Sequence, residues 1–298
     1  MTVNEAREIA DEFREKNNPT EEEIFLFTEA MNFLIEEEKN PGDMLYLGGV
    51  YYEMKQYDLA LKYYEMAATM DFEPAFECLG YIWYYGRTGE VDYKKAFEYF
   101  SKCADKGNIV AKYKIADMYK NGYYVEKDQK KYEEIIEELY ELMKDDLRLG
   151  RVDVFFPYPE IWTRYAKILK NRGKKEDAAE LYLEAKSILA ERIRINAFFG
   201  NLNIMMWLID DLYDIREFDN ENFDFYDLYY LLKTPHKIKF RYENKDYSLE
   251  SVMEGKECTV KFNDKWFHDR SEFFGKATIR EEKLTDIYDD LFGFEVIE

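Results

Sequence analysis

Chemistry at a side chain needs a proton carrier, a nucleophile or a metal ligand held beside its partners, and few such groupings stand in this sequence. It has two histidines, His236 and His268. In His268-Asp269-Arg270 an imidazole lies next to a carboxylate, a pair that could do general-base work, although a solvated cluster at a strand end is the plainer reading. Cys78, Cys103 and Cys258 are widely spaced and form no CxxC, so neither a disulfide framework nor a zinc site is indicated, and a reducing compartment fits them. Acid pairs recur at Asp145-Asp146, Asp210-Asp211 and Asp289-Asp290. The run Asp219, Glu221, Asp224, Asp227 departs from calcium-loop order because Phe223 and Asp224 interrupt it. No GxSxG, P-loop, GxGxxG or HExxH occurs. The expectation is a chain with no catalytic residue, no metal and no cofactor.

Elements must position whatever else works here, and composition says what elements are open to the chain. Its 298 residues are 47% apolar and 18% aromatic with only 14 Gly and 6 Pro, enough for real cores and against long disordered stretches. The 42 Lys+Arg against 63 Asp+Glu leave a net charge of −21, which repels phosphate backbones and anionic bilayers, so nucleic acid and membrane are not expected as partners. The same charge serves solubility, or steers basic partners. The first residues carry acids and no apolar run, and no 18 apolar residues stand together, so neither a signal peptide nor a membrane span is read. The expected location is cytoplasmic.

Helical spacing of Val3, Ala6, Ile9, Ala10 and Phe13 predicts a first helix. Thr20 and Glu23, after Asn18-Pro19, predict a capping box opening a second over 21–38, with a broad apolar face of Ile24, Phe25, Phe27, Met31, Leu34 and Ile35. From Asp43 the sequence repeats. Leu47-Gly48 with Tyr51 returns as Leu79-Gly80 with Trp83 and as Ile115-Ala116 with Tyr119. Ala60, Tyr63-Tyr64 and Ala67-Ala68 return as Ala96, Tyr99-Phe100 and Cys103-Ala104. A small residue lets two helices approach, and the ring four residues after the Leu is expected to fill the same seam.

These residues resemble the Sel1-like repeat, a relative of the tetratricopeptide repeat, most fully over 75–111. There Leu79-Gly80, Trp83, Gly86, Val91, Asp92, Lys95-Ala96, Tyr99-Phe100, Cys103-Ala104, Gly107 and Ala111 stand at framework positions. The third unit has Tyr132 where Ala is expected, and the first has Met54 in place of Gly. A fourth unit with Tyr165-Ala166, Leu169, Ala178, Leu181-Tyr182 and Ala185 has the shorter period, so the resemblance spans about 43–190. Between the third and fourth units, Gly150, Pro157 and Pro159 predict a loop over 145–160. The apolar segment 202–213 is expected to be buried as a terminal cap, or to lie in a homodimer interface.

After Lys233-Thr234-Pro235 the period changes from helical to alternating. Ile238, Phe240 and Tyr242, then Val260 and Phe262 with a turn at Asn263-Asp264 before Trp266-Phe267, predict strands and a hairpin. A short helix over 284–291 and a last strand at Phe294, Val296 and Ile297 complete the expectation. The fold class is therefore mainly α: an α-α superhelix of Sel1-like and tetratricopeptide-like units followed by a small α+β domain. The expected divisions are an N-terminal helical pair over 1–40, repeats over 41–233 and the α+β domain over 234–298.

The resemblance implies a curved array whose first helices line a concave side able to hold a peptide or partner protein. Counting from each framework Leu, that wall receives Tyr52, Glu77, Tyr81, Tyr84, Tyr113, Asp117, Lys120 and, from the fourth unit, Lys167. Tyrosines suit binding surfaces, although packing within repeats would use them equally well. Glu77 and Asp117 would favour a basic ligand. The expected function is a non-enzymatic scaffold or adaptor. The alternatives are a repeat platform for a hydrolytic or metal-dependent C-terminal domain, and an acidic mimic of nucleic acid.

Overall fold

The structure, a computed structural model, describes residues 1–16, 19–149, 156–195, 199–218 and 224–297. Asn18, the segment 150–155, Asp219, Glu221 and Phe223 of the readings above lie outside the described residues. The chain forms two compact units, Met1–Ile135 and Ile136–Glu298.

Caps and breakers cut the first unit into helices α1 (Val3–Arg14), α2 (Glu21–Glu38), α3 (Pro41–Glu53), α4 (Tyr57–Ala68), α5 (Glu73–Tyr85), α6 (Tyr93–Asp105), α7 (Ile109–Asn121) and the start of α8 (Gln129–Arg148). Thr20 and Glu23 form the expected capping box of α2, each side chain accepting from the other's backbone N–H. Left-handed Lys39 ends α2, and Asn40 caps α3 with Pro41 in its first turn. Each helix packs against the next, from α1 through α7. The face of α2 is narrower than its composition suggests. Phe27, Met31, Leu34 and Ile35 are buried, whereas Phe25 is 65% exposed.

Two glycines set the closeness of the helix pairs. A Cβ on Gly48 would stand 2.6 Å from Tyr64, and one on Gly80 would stand 2.4 Å from Phe100. The ring over each glycine therefore comes from the second helix of the same pair and not from four residues along the first. The latter rings pack elsewhere: Tyr51 stacks on Tyr63 at 5.6 Å, while the ammonium groups of Lys95 and Lys131 lie 3.6 and 4.6 Å from the Trp83 and Tyr119 rings.

The second unit holds the rest of α8, then α9 (Tyr158–Asn171), α10 (Lys175–Ile195), α11 (Phe199–Tyr213) and the short α12 (Leu228–Leu231). The loop expected over 145–160 is corrected at both ends, since α8 runs to Arg148 and α9 begins at Tyr158. Pro157 precedes α9 and Pro159 sits in its first turn, where a missing N–H leaves no helical bond unmade. On α11, Leu202, Met205, Met206, Leu208, Ile209 and Leu212 are buried inside the unit, and Trp207 is 66% exposed. Burial is the outcome of that segment. Trp207 is the one large apolar side chain of α11 left exposed among the described residues.

Strands follow as β1 (Lys237–Tyr242), β2 (Lys245–Glu254), β3 (Glu257–Phe262), β4 (Lys265–Phe267), β5 (Thr278–Ile279), β6 (Glu282–Lys283) and β7 (Phe292–Ile297), with α13 (Arg270–Lys276) after β4. They make an antiparallel sheet ordered β4-β3-β2-β1-β7 and a separate β5-β6 pair. Ile238, Phe240, Leu249, Val260 and Phe262 line the buried face, and Phe273 of α13 meets Phe262 and Phe267 edge-on at 5.9 and 5.6 Å. On the other face Lys237, Lys239 and Arg241 alternate, with Arg241 paired to Asp246 across the strands. Asn263 and Asp264 take φ of 48° and 61°, as a two-residue hairpin requires. The helix expected over 284–291 is instead a turn and a 3-10 helix, Tyr288–Asp290; the α-helix of this region is α13, capped by Asp269.

Candidate functional site

The tyrosines singled out on the repeats come together around a cation of the chain itself. Lys114 on α7 is 9% exposed. Its Nζ lies 5.2 Å from the Tyr81 ring, 5.4 Å from Tyr84, 5.6 Å from Tyr85 and 5.5 Å from Tyr113, and donates to the Tyr85 hydroxyl at 3.2 Å. Four rings thus form a cage closed over an internal ammonium. Tyr81 stacks on Tyr85, and Tyr84 meets Tyr85, Tyr93, Phe100 and Tyr123 edge-on. Burial pushes the Tyr81 phenol well above its ordinary range, with the neighbouring Tyr113 and Glu77 adding to the shift. Tyr113 is buried, and Tyr84 is half-buried.

Tyr52 belongs to an adjoining group. Gly86 ends α5 with φ of 60°, and the chain turns so that the guanidinium of Arg87 lies 5.7, 5.7 and 5.3 Å from the Tyr52, Tyr57 and Tyr85 rings. Its Nε–H donates to the Tyr52 hydroxyl at 2.9 Å. Burial raises the Tyr52 phenol above its ordinary value, against the lowering influence of Arg87. Tyr85 serves both groups, so rings and two cations run continuously from Tyr57 to Tyr113. Spacing alone missed Tyr57, Tyr85, Arg87 and Lys114; the dipeptide Tyr84-Tyr85 just before Gly86-Arg87 was the available signal.

The charged members of the expected wall are engaged differently. Glu77 is half-buried, which raises its carboxyl above the ordinary value, while the Asn108 amide donates to its Oε2 at 2.8 Å. Asn108 donates equally to Glu73 Oε1 at 2.8 Å and caps α7 through its own oxygen, and the Cys103 thiol donates to Glu73 at 2.7 Å. Glu73, Glu77 and Cys103 bring metal-ligand atom types within 4.8 Å of one another. The amide hydrogens of Asn108 reach the two carboxylates as a cation would, and the group clasps α5, α6 and α7 together. Asp117 is half-buried on α7, and Lys120 lies 5.0 Å from the Tyr132 ring. Lys167 stands in the second unit, where it pairs with Asp211 alongside Lys170.

His268 is 77% exposed, with Nδ1 3.8 Å from both Glu257 and Asp269. Asp269 spends Oδ1 on capping α13. A base held and oriented by a buried carboxylate is not what these residues form. Asp224 and Asp227 from the acid run both pair with the ammonium of Lys186, and Asp227 is buried.

Helix pairs packed in sequence order, two of them closed by a ring over a glycine, define a helical-repeat architecture. The family model described as Sel1 repeat matches residues 42–72, 79–108 and 109–131, so the chain carries three Sel1 repeats. The match stops short of the fourth unit on α9 and α10. Among solved structures, the chain is similar to a Sel1 repeat protein from Oxalobacter formigenes at 18% identity, covering 68% of this chain and 74% of that one, with a TM-score of 0.47. A protective antigen of uropathogenic Escherichia coli with an SLR fold is similar at 16% identity over 63% and 49% of the two chains, TM-score 0.39. YrrB, described as a TPR protein with an unusual peptide-binding site, is similar at 18% identity over 63% and 92%, TM-score 0.38. No curated protein matches the sequence. No helix among the described residues is long and apolar enough to cross a membrane.

Proposed function

We propose that this chain is a non-enzymatic adaptor that binds a peptide or protein on the tyrosine-rich surface of its Sel1 repeats. Repeats of this kind generally serve as protein-interaction scaffolds. The observation that carries the reading is the continuous set of rings from Tyr57 through Tyr52 and Tyr85 to Tyr84, in which Tyr85 is 47% exposed while the rings behind it are fixed by packing. Rigid aromatic area with polar tips binds at low entropic cost. In this reading Tyr52, Tyr84 and Tyr85 meet the partner, and Tyr81 and Tyr113 form the wall that holds them. Asp117 and Lys120 lie farther along the same repeats. Lys167, engaged with Asp211, is left out of the proposed surface. A preference for basic ligands is not retained, because Glu77 is already shared with Asn108 and the cage is filled by Lys114.

The test is binding of the full chain to random linear peptides displayed in a library, repeated with Tyr52→Ala and Tyr85→Ala. Recovery of peptides whose affinity falls with either substitution supports the reading. Binding that survives both, with folding unchanged by circular dichroism, removes it.

A further inference from the structure

We propose that Arg87 is the anchor for an acidic side chain of the partner, seated in the cleft beside Tyr57; this rests on the interaction reading above and names the chemistry of what is bound. Acids outnumber bases by 63 to 42 in this chain, so an arginine has many possible mates. Arg7, Arg14, Arg192, Arg241, Arg270 and Arg280 each have a carboxylate within ion-pair distance. Arg87 has none among the described residues, yet it is held more firmly than a solvated side chain would be. Three rings carry the guanidinium and its Nε–H is spent on Tyr52, which leaves the two terminal NH2 groups as the fork for a carboxylate. A long side chain fixed in advance loses little further freedom on binding.

The surroundings agree with that chemistry. A cleft of about 450 Å³ is lined by Arg87, Lys55, Tyr57, Asp58, Leu59 and Thr88, among others. Lys55 also has no ion partner among the described residues, and Asp58 lies outside ion-pair distance of both cations. Leu59 is 38% exposed and offers an apolar contact next to the charge. The occupant that fits is a protein segment with Asp or Glu beside a leucine-like residue. The repulsion from the net charge is screened beyond about 8 Å at physiological salt, whereas a bidentate contact is not.

The probe is the same random-peptide library, panned on the full chain, with recovered sequences then synthesised and titrated by fluorescence polarisation. Recovered peptides are expected to be enriched in Asp or Glu next to Leu, Ile or Phe. Arg87→Ala should weaken them about tenfold or more, the value of one charge-assisted hydrogen-bonded contact. Arg87→Lys should not restore them, and Glu-to-Gln exchange in the peptide should cost as much as Arg87→Ala without adding to it. Peptides that are not acidic, or that ignore Arg87→Ala, overturn the anchor and leave the interaction reading standing. Recovery of no peptide overturns both. Arg87→Gln, measured for unchanged thermal unfolding, guards against loss of the fold as the cause.

Discussion

Replacing Gly80 with alanine adds a single methyl group at the tightest point of a repeat. The new Cβ would stand 2.4, 2.6 and 2.9 Å from three atoms of the Phe100 ring. That ring is fully buried and held edge-on by Tyr81 and Tyr84 at 5.6 and 6.2 Å, so it cannot swing aside. Overpacking of this kind costs about 1–3 kcal/mol. Alanine's preference for helix over glycine returns about 1 kcal/mol. With a contact this short the upper half of the range applies, and Gly80→Ala should destabilise by about 1–2 kcal/mol, read as a lower urea midpoint with unchanged slope by far-ultraviolet circular dichroism. Phe100→Leu shortens the obstructing side chain, so the double variant should recover about 1 kcal/mol relative to the sum of the single effects. Gly80→Ala as stable as the parent, or strict additivity with Phe100→Leu, would refute the view that a ring over a small residue sets helix spacing here.

Lys114→Ala empties the four-ring cage and should cost about 2 kcal/mol, with a changed near-ultraviolet tyrosine spectrum; an unchanged spectrum would contradict the cage. Burial raises the Glu77 carboxyl above its ordinary 4.5, so the folded chain holds that proton to higher pH than the unfolded chain does, and the associated stability is full below 4.5 and lost as pH rises through the raised value. Glu77→Gln, which keeps an acceptor for Asn108, should therefore be more stable than the parent near pH 7 and lose that advantage near pH 4 in urea titrations; an equal gain at both values would count against it. Arg192→Ala leaves the half-buried Glu160 carboxylate without its guanidinium and the Phe156 carbonyl without a donor, and should cost about 3 kcal/mol of stability in the same assay. Asp264→Gly relieves a left-handed residue in the hairpin and should raise the melting temperature by about 1–2 °C, equivalent to about 0.5 kcal/mol; a lower melting temperature would exclude relief of strain there.

The repeats were legible because a small residue beneath a large one is a volume constraint, and Leu47-Gly48 and Leu79-Gly80 with the later Tyr64 and Phe100 state it in residue types. Which ring meets which glycine was not legible, since the seam is closed across two helices and spacing describes one. Counting positions on a helix likewise located Tyr81, Tyr84 and Tyr113 but gave no reason to look at Lys114. A lysine is ordinarily exposed, and only the convergence of rings from two helices makes its burial tolerable. Strand β2 escaped notice because its inward positions include Ser251. Buried, that hydroxyl donates to the Thr234 carbonyl at 2.8 Å and accepts from the His236 N–H at 2.8 Å, so a polar residue satisfies a site that alternation assigns to an apolar one. Pro157 and Pro159 punctuate the chain as expected, yet they do so by starting a helix.

The packing of α1 through α7, each chiefly on its neighbour in the chain, gives the first unit no centre. Order there is held as in a row of leaning books, where the end volumes slip before the middle ones. Amides of α1 should exchange with solvent well ahead of those in α4 and α5, so the unit can loosen at its margin while its middle stays upright.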